Sequence, residues 1–275
     1  MIELHKGNNL KVMDDMVAKG VKVDLTVTSP PYDNLRTYEG ELQWSEDIWK
    51  NTIEKLYEVT ADGGVVVWVV GDATIDGDET GSSFKQALYF KEVGFKLHDT
   101  MLYQKSGVSG QSKTRYYNNF EYMFVFVKGK IKTFNPIEDR ENKWRERWGK
   151  NRARRNADGS FGKEYESKKA PKYGMRMNIW KYKQGYGYGN DDIAYDHPAV
   201  FPHDLAKDHI LSWSNEGDVV FDPFLGSGTT GLCAKETLRD FIGVELVDSY
   251  FELAKNRIEN TCHREDLFDE DEYID

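Results

Sequence analysis

A doubly wound α/β sheet, mostly parallel and seven-stranded, is the fold class that this 275-residue sequence predicts. Three observations point to it. Short β-rich runs alternate with segments of helical spacing. One run, VVVWVV at 65–70, is apolar throughout, as in a strand buried on both faces of a parallel sheet. A glycine-rich loop, DPFLGSGTTG at 222–231, stands between a strand-like and a helix-like segment.

The elements follow in order. IELH (2–5) and VDLTVT (23–28) read as strands. The segment 45–61 is helical by the spacing of Ile48, Ile53, Leu56 and Tyr57, with Ser45 as N-cap and Gly63-Gly64 beyond its end. VVVWVV is the third strand. A helix over 82–94 ends in glycine, and TMLYQK (100–105) and EYMFVFVK (121–128) make two more strands. Strands VVFDPF (219–224) and DFIGVEL (240–246) flank the helix TTGLCAKETL, and 248–261 forms a last helix. The stretch 129–196 breaks the alternation: it is charged, aromatic and glycine-rich, without a clear period, and IWKYKQGYGYGNDD (179–192) reads as an aromatic loop.

Composition narrows the class. Cys233 and Cys262 are the only cysteines, far apart and without metal-ligand spacing, which predicts a reducing compartment, no disulfide framework and no metal site. The longest apolar run is too short to span a bilayer and the first residues lack a signal-peptide core, so a soluble cytoplasmic protein with no membrane partner is expected. The net charge is −10, yet residues 128–183 hold 18 Lys and Arg against 7 Asp and Glu. A basic segment in an acidic chain predicts an anionic partner for that segment.

Two motifs carry chemistry. In the loop, Gly226, Gly228 and Gly231 fit G-x-G-x-x-G, and Glu245 ends the next strand 19 residues after Gly226. Glycines let the backbone approach a ligand, and the acid can accept both hydroxyls of a ribose. Either NAD or S-adenosylmethionine presents such a ribose. Only 30 residues follow Glu245, so the other strands precede the loop and the sheet order is permuted relative to a dehydrogenase. The second motif is Thr28-Ser29-Pro30-Pro31-Tyr32, where a strand runs into two prolines. Proline fixes φ and carries no N–H, so this turn is stiff and offers acceptors rather than donors.

Together, TSPPY early and DPFLGSGTT late resemble the β-class amino-methyltransferases of DNA, with the catalytic motif before the cofactor motif and a target-recognition region between. The N-terminal 2–16, the strand at 120–130, the segment 197–214 and FIGVELVDSYFELAKNRI (241–258) are similar to that family's pattern as well. The resemblance implies a catalytic half at 1–128, a target-recognition insertion at 129–196, a cofactor half at 197–262 and an acidic tail at 263–275. It implies Ser29, Pro30, Pro31 and Tyr32 as catalytic residues, the first two accepting hydrogen bonds from an exocyclic amine and Tyr32 stacking on an extruded base. It implies S-adenosylmethionine as cofactor, on Asn8, Asp222, Phe224, Gly226, Ser227, Gly228, Thr229, Thr230 and Glu245. Asn8 departs from the Gly-Asp that often follows the family's first strand. Double-stranded DNA is the implied partner, through Arg36 and Tyr38 after the catalytic turn and Arg145, Arg147, Arg152, Arg154 and Arg155 in the insertion. A homodimer and a restriction endonuclease partner stay open. The serine form of the motif usually accompanies cytosine N4, and the Asp or Asn form adenine N6. Cytosine N4 methylation is the reading, with adenine N6 as alternative. An NAD-dependent oxidoreductase and a catalytically silent nucleic-acid module are the more distant ones.

Overall fold

The computed structural model describes residues 1–31, 44–107, 113–143, 155–162, 170–182 and 202–260. Strands β1 (Ile2–Lys6), β2 (Val23–Thr28) and β3 (Thr60–Val70) alternate with helices α1 (Asn9–Ala18), α2 (Glu46–Val59) and α3 (Ser82–Val93). A short hairpin, β4 (Thr74–Ile75) and β5 (Asp78–Glu79), separates β3 from α3, and β6 (Lys96–Lys105) and β7 (Phe120–Val127) follow. After β8 (Arg140–Glu141) and β9 (Tyr173–Gly174) come β10 (Ile179–Tyr182) and α4 (His203–Trp213). The chain ends through β11 (Val219–Asp222), α5 (Thr229–Glu236), β12 (Asp240–Glu245) and α6 (Asp248–Glu259). Among the described residues, no helix is long and apolar enough to cross a membrane.

Eight strands form one sheet in the order β1-β12-β11-β2-β3-β7-β6-β10. Every neighbouring pair is parallel except those made by β7, which runs against both β3 and β6. The expected mostly parallel α/β sheet is therefore present, with one strand more than the seven expected. The eighth is β10, part of the segment that reads as a loop in the sequence: Trp180 lies opposite Tyr103 in parallel register on the outer edge of β6. The rest of that segment, from 183 on, lies outside the described residues. Helices α1 and α4 also stand beyond the sequence expectation.

The core sits on both faces of β3, buried from residue 63 to 70. Val66, Trp68 and Val70 pack with Met13 and Met16 of α1, Trp49, Ile53 and Leu56 of α2, and Ala87 and Phe90 of α3. Phe90 stacks on Phe126 with ring centres 4.0 Å apart. On the opposite face α4 brings the buried His209 to Met123 of β7, Nε2 to Sδ 3.3 Å. Helix α2 starts where the sequence indicates, with Ser45 Oγ accepting from the Ile48 N–H. It then passes directly into β3, which takes in Gly63 and Gly64 rather than starting after them.

Met1–Asn135 with Asn178–Asp275 form one compact unit, and Pro136–Met177 form another. In the smaller one, β8 and β9 pair antiparallel. Arg140 Nε donates to the Met175 carbonyl (2.9 Å), and Arg176 Nε to Asp139 (2.9 Å).

Candidate active site

From β2 the chain moves outward to β3, and from β11 it moves the opposite way to β12. The two strands are parallel neighbours, with Val220 opposite Leu25 and Phe221 opposite Thr26. Their carboxyl ends thus form the topological switch point of the sheet, where the connections part and a crevice opens. Both sequence motifs begin there, Ser29-Pro30-Pro31 after β2 and 222–230 from the end of β11. Pro30 is buried, and Ser29 and Pro31 are half-buried.

One hydrogen bond joins the motifs. Thr28 Oγ1 donates to Asp222 Oδ1 at 2.6 Å, across 194 residues of chain, and both side chains are buried. The same oxygen accepts from the Phe224 N–H (3.0 Å). Thr230 Oγ1 donates to the Val27 carbonyl at 3.3 Å and makes a second tie. Burial pushes the Asp222 carboxyl up to about 6, against the hydrogen bonds from Thr28 and Phe224 that favour its ionised form.

The glycines serve two ends. Gly226 and Gly228 take φ of +54° and +83°, the left-handed region that turns the loop into α5. A Cβ on Gly228 would also come within 2.9 Å of Ala254 Cβ, and one on Gly231 within 2.5 Å of Ile258 Cδ1 and 2.6 Å of Phe241 Cε1. The second and third glycines therefore let α5 pack closely on α6 and β12. Gly228, as N-cap of α5, supplies no side-chain acceptor to the first N–H groups of the helix.

Glu245 does more inside the protein than its sequence position suggests. Its Oε2 accepts from the Gly226 N–H (2.8 Å), and its Oε1 from the N–H groups of Leu246 and Val247 (2.9 Å each). A carboxylate has about four acceptor sites, so three donors leave room for a ligand hydroxyl. Burial raises its pKa, opposed by those three backbone donors. Asn8 is likewise engaged internally. Its Oδ1 caps α1, accepting from Leu10 N (2.9 Å) and Lys11 N (3.4 Å).

Two features of the site are not apparent in the sequence. Arg257, buried on α6, donates through Nη1 to the Ser227 carbonyl and to Thr229 Oγ1 (3.4 Å), and so fixes the loop from below. The available signal is a cation on the same helical face as the buried Tyr250, Ala254 and Ile258. Asp72, just past β3, holds the start of α3: Oδ1 accepts from Ser83 N (2.8 Å) and Oδ2 from Ser83 Oγ (2.6 Å). Tyr32, Arg36, Tyr38, Arg145, Arg147, Arg152 and Arg154 lie outside the described residues. Arg155 is described and belongs to the smaller unit.

Two buried donors near these elements have no acceptor among the described residues: Trp44 Nε1 and Asn9 Nδ2. The Trp44 ring meets Phe224 edge-on at 5.5 Å. Asn9 opens α1 just after Gly7, whose N–H donates to the Glu245 carbonyl (2.8 Å). Buried donors of this kind are costly unless something accepts from them, as a ligand with several acceptors would.

Comparison with known proteins agrees with this geometry. The family described as DNA methylase (N6_N4_Mtase) matches residues 23–256. The orphan methyltransferase M.BamHII of Bacillus amyloliquefaciens is 52% identical over 242 residues, covering 86% of this chain and 89% of its own. The DNA adenine methyltransferase YhdJ of Escherichia coli (strain K12) is 30% identical over 247 residues, covering 88% and 78%. Among solved structures, the cytosine-N4-specific PvuII DNA methyltransferase has a similar fold, with a TM-score of 0.66 at 17% identity, covering 97% of this chain and 89% of its own. The M1.HpyAVI–SAM complex gives 0.63 at 22%, covering 94% and 100%.

Proposed function

Because the chain belongs to the N6/N4 family of DNA methylases, we propose that it methylates the exocyclic N4 amine of a cytosine flipped out of double-stranded DNA. Membership in this family accounts for the glycine loop without an NAD-dependent oxidoreductase. The observation that carries the proposal is the Thr28–Asp222 hydrogen bond, which holds the serine-type motif against the cofactor loop at the switch point.

S-adenosylmethionine is the cofactor, and it supplies an electrophilic methyl group on a sulfonium. The residues present fit it. Glu245 keeps an acceptor for a ribose hydroxyl, and Asp222 offers a buried carboxylate to a cationic group. The 226–228 turn brings backbone close, and the donors on Trp44 and Asn9 await acceptors.

The amine of cytosine is a weak nucleophile because its lone pair is delocalised into the ring. The Ser29 hydroxyl and the Pro30 carbonyl accept hydrogen bonds from that NH₂ and draw the nitrogen toward tetrahedral geometry. The following peptide nitrogen belongs to Pro31 and carries no hydrogen, so no donor competes at that point. Tyr32 stacks on the extruded base, and the basic residues of the 129–196 insertion, with Arg36 and Tyr38, hold the duplex by its phosphates.

Adenine N6 is the second reading, favoured by the 30% identity to an adenine methyltransferase over most of this chain. Incubation with unmethylated DNA and S-adenosylmethionine, digestion and nucleoside mass spectrometry decide between them. N4-methylcytosine is the expected product. N6-methyladenine would overturn the cytosine assignment and leave the family chemistry intact. Neither base modified, across DNAs of varied sequence, would sink both readings.

A further inference from the structure

The smaller unit holds a tight hairpin at 155–161. Arg155 and Phe161 form its antiparallel bridge. Asn156 N donates to the Ser160 carbonyl (2.7 Å), and Gly159 N to the Asn156 carbonyl (3.0 Å), with Gly159 at φ +83°. This is a three-residue loop closed by a left-handed glycine. Polar side chains lock it further. Asp158 Oδ1 accepts from both Ser160 N (2.9 Å) and Ser160 Oγ (2.6 Å), and Asn156 Nδ2 donates to Ser160 Oγ (2.9 Å).

The lock reaches Arg155. Its Nε donates to the Gly159 carbonyl (3.3 Å), and its guanidinium lies over the Phe161 ring, 5.8 Å from the centroid. Phe161 itself is 71% exposed, so the ring is not there to fill a core. One edge of the guanidinium is thus tied to the turn. The Nη1–Nη2 edge has no partner among the described residues, and a solvated phosphate contact needs no such fixing.

We infer that the 155–161 hairpin is a two-stranded ribbon that enters the DNA major groove, where Arg155 reads a guanine through both terminal nitrogens. The inference rests on the proposed DNA methyltransferase function. The major groove admits a two-stranded β-ribbon, and a paired Arg contact to guanine O6 and N7 is the commonest specific contact there. The basic balance of 128–183 gives the surrounding segment the charge to approach the duplex. Arg155 is the specificity-determining residue, and Phe161 is a positioning residue acting through it.

The test uses the full chain and a pool of randomised duplex DNA. Bound duplexes are sequenced, and methylated positions are mapped in parallel. Arg155→Lys keeps the charge and loses the paired geometry. It is expected to lower discrimination at one G·C position of the enriched motif by roughly tenfold or more, with other positions and the salt dependence retained. Phe161→Leu is expected to relax the same position to a smaller degree. An unchanged motif in Arg155→Lys overturns the inference, as does a uniform loss of binding with a flattened salt slope, which marks a backbone contact. A wild-type protein that enriches no motif also overturns it. Enrichment of a motif whose guanine depends on Arg155, with no methylation by the wild type, would instead retain the hairpin reading and refute the methyl transfer.

Discussion

The 222–230 loop and the 155–161 hairpin are both glycine turns stiffened by a carboxylate, yet they are built from different distances along the chain. The loop's partners are remote: Thr28 lies 194 residues from Asp222, and Arg257 reaches Ser227 from a later helix. The hairpin's partners all lie within six residues of one another. A turn held by remote contacts shares the stability of the whole sheet, whereas a turn held locally can change its tip without disturbing the core. In a DNA-modifying enzyme the first arrangement suits chemistry that must stay fixed, and the second suits recognition.

The largest effect is expected at the chemical end of the remote network. Ser29→Ala removes one of the two acceptors proposed for the amine, and turnover should fall by about a hundredfold, comparable to losing one oxyanion-hole donor. Affinity for S-adenosylmethionine, followed by isothermal titration, should stay within about twofold. Equal loss of both would mean that Ser29 supports the fold of the site rather than the reaction, and full retained turnover would remove it from the mechanism.

Next comes the link between the motifs. Thr28→Val keeps the shape and deletes the hydroxyl, so a buried carboxylate loses a 2.6 Å donor. A cost of about 1–3 kcal/mol is expected, with Tm lower by several degrees in a chain of this size. Cofactor affinity and turnover should fall together, since the bond fixes the relation between two motifs. A normal Tm in this variant would show that the two strands hold their register without it.

How much of this is legible in the sequence depends on where the partners come from. The strands β3, β11 and β12 declare themselves through continuous, largely buried apolar runs, VVVWVV, VVF and FIGV, and β2 through its buried Val23, Leu25 and Val27, which alternate with Asp24, Thr26 and Thr28. The Pro-Pro turn and the glycine string declare themselves because few residue types tolerate those backbones. Helix α4 does not, because its buried face mixes Leu205, Ala206 and Ile210 with His209, Ser212 and Trp213, which blurs the apolar period. Strand β10 is four residues long with an exposed Ile179, and only its pairing with β6 marks it as a strand. The acid at 245 is legible, but its three backbone donors are not, because they are N–H groups that almost any sequence carries. Arg257 is hidden for a similar reason: one cation in an amphipathic helix reads as surface until its carbonyl partner is known.

A smaller effect should appear as pH dependence. The Asp222 carboxyl is raised from an ordinary 3.8 to about 6 by burial, so the folded protein binds its proton more tightly than the unfolded chain does. The stabilisation this gives is complete below about pH 4 and is lost as pH rises through about 6, a span of roughly 3 kcal/mol. Comparing the stability of wild type and Asp222→Asn from about pH 4 to 7.5 isolates it: the difference between the two curves should change in that window, and a constant difference would refute the assignment. A cationic cofactor favours the ionised carboxylate, so its affinity should instead rise with pH, about tenfold between pH 5 and 7.5, and Asp222→Asn should flatten that profile.

The smallest effect tests the local side of the comparison. Asp158→Ala deletes the acceptor that holds Ser160 N and Oγ, and so loosens the tip of the hairpin. Because none of those partners lies in the sheet, Tm should stay within about 1 °C of wild type, as for most surface substitutions. The amides of Gly159 and Ser160 should nonetheless exchange faster with deuterium, since their protection comes from the turn itself. A Tm drop as large as that of Thr28→Val would show that the hairpin draws on the core after all, and the division between a remotely braced loop, proposed for catalysis, and a locally braced tip, proposed for recognition, would fail.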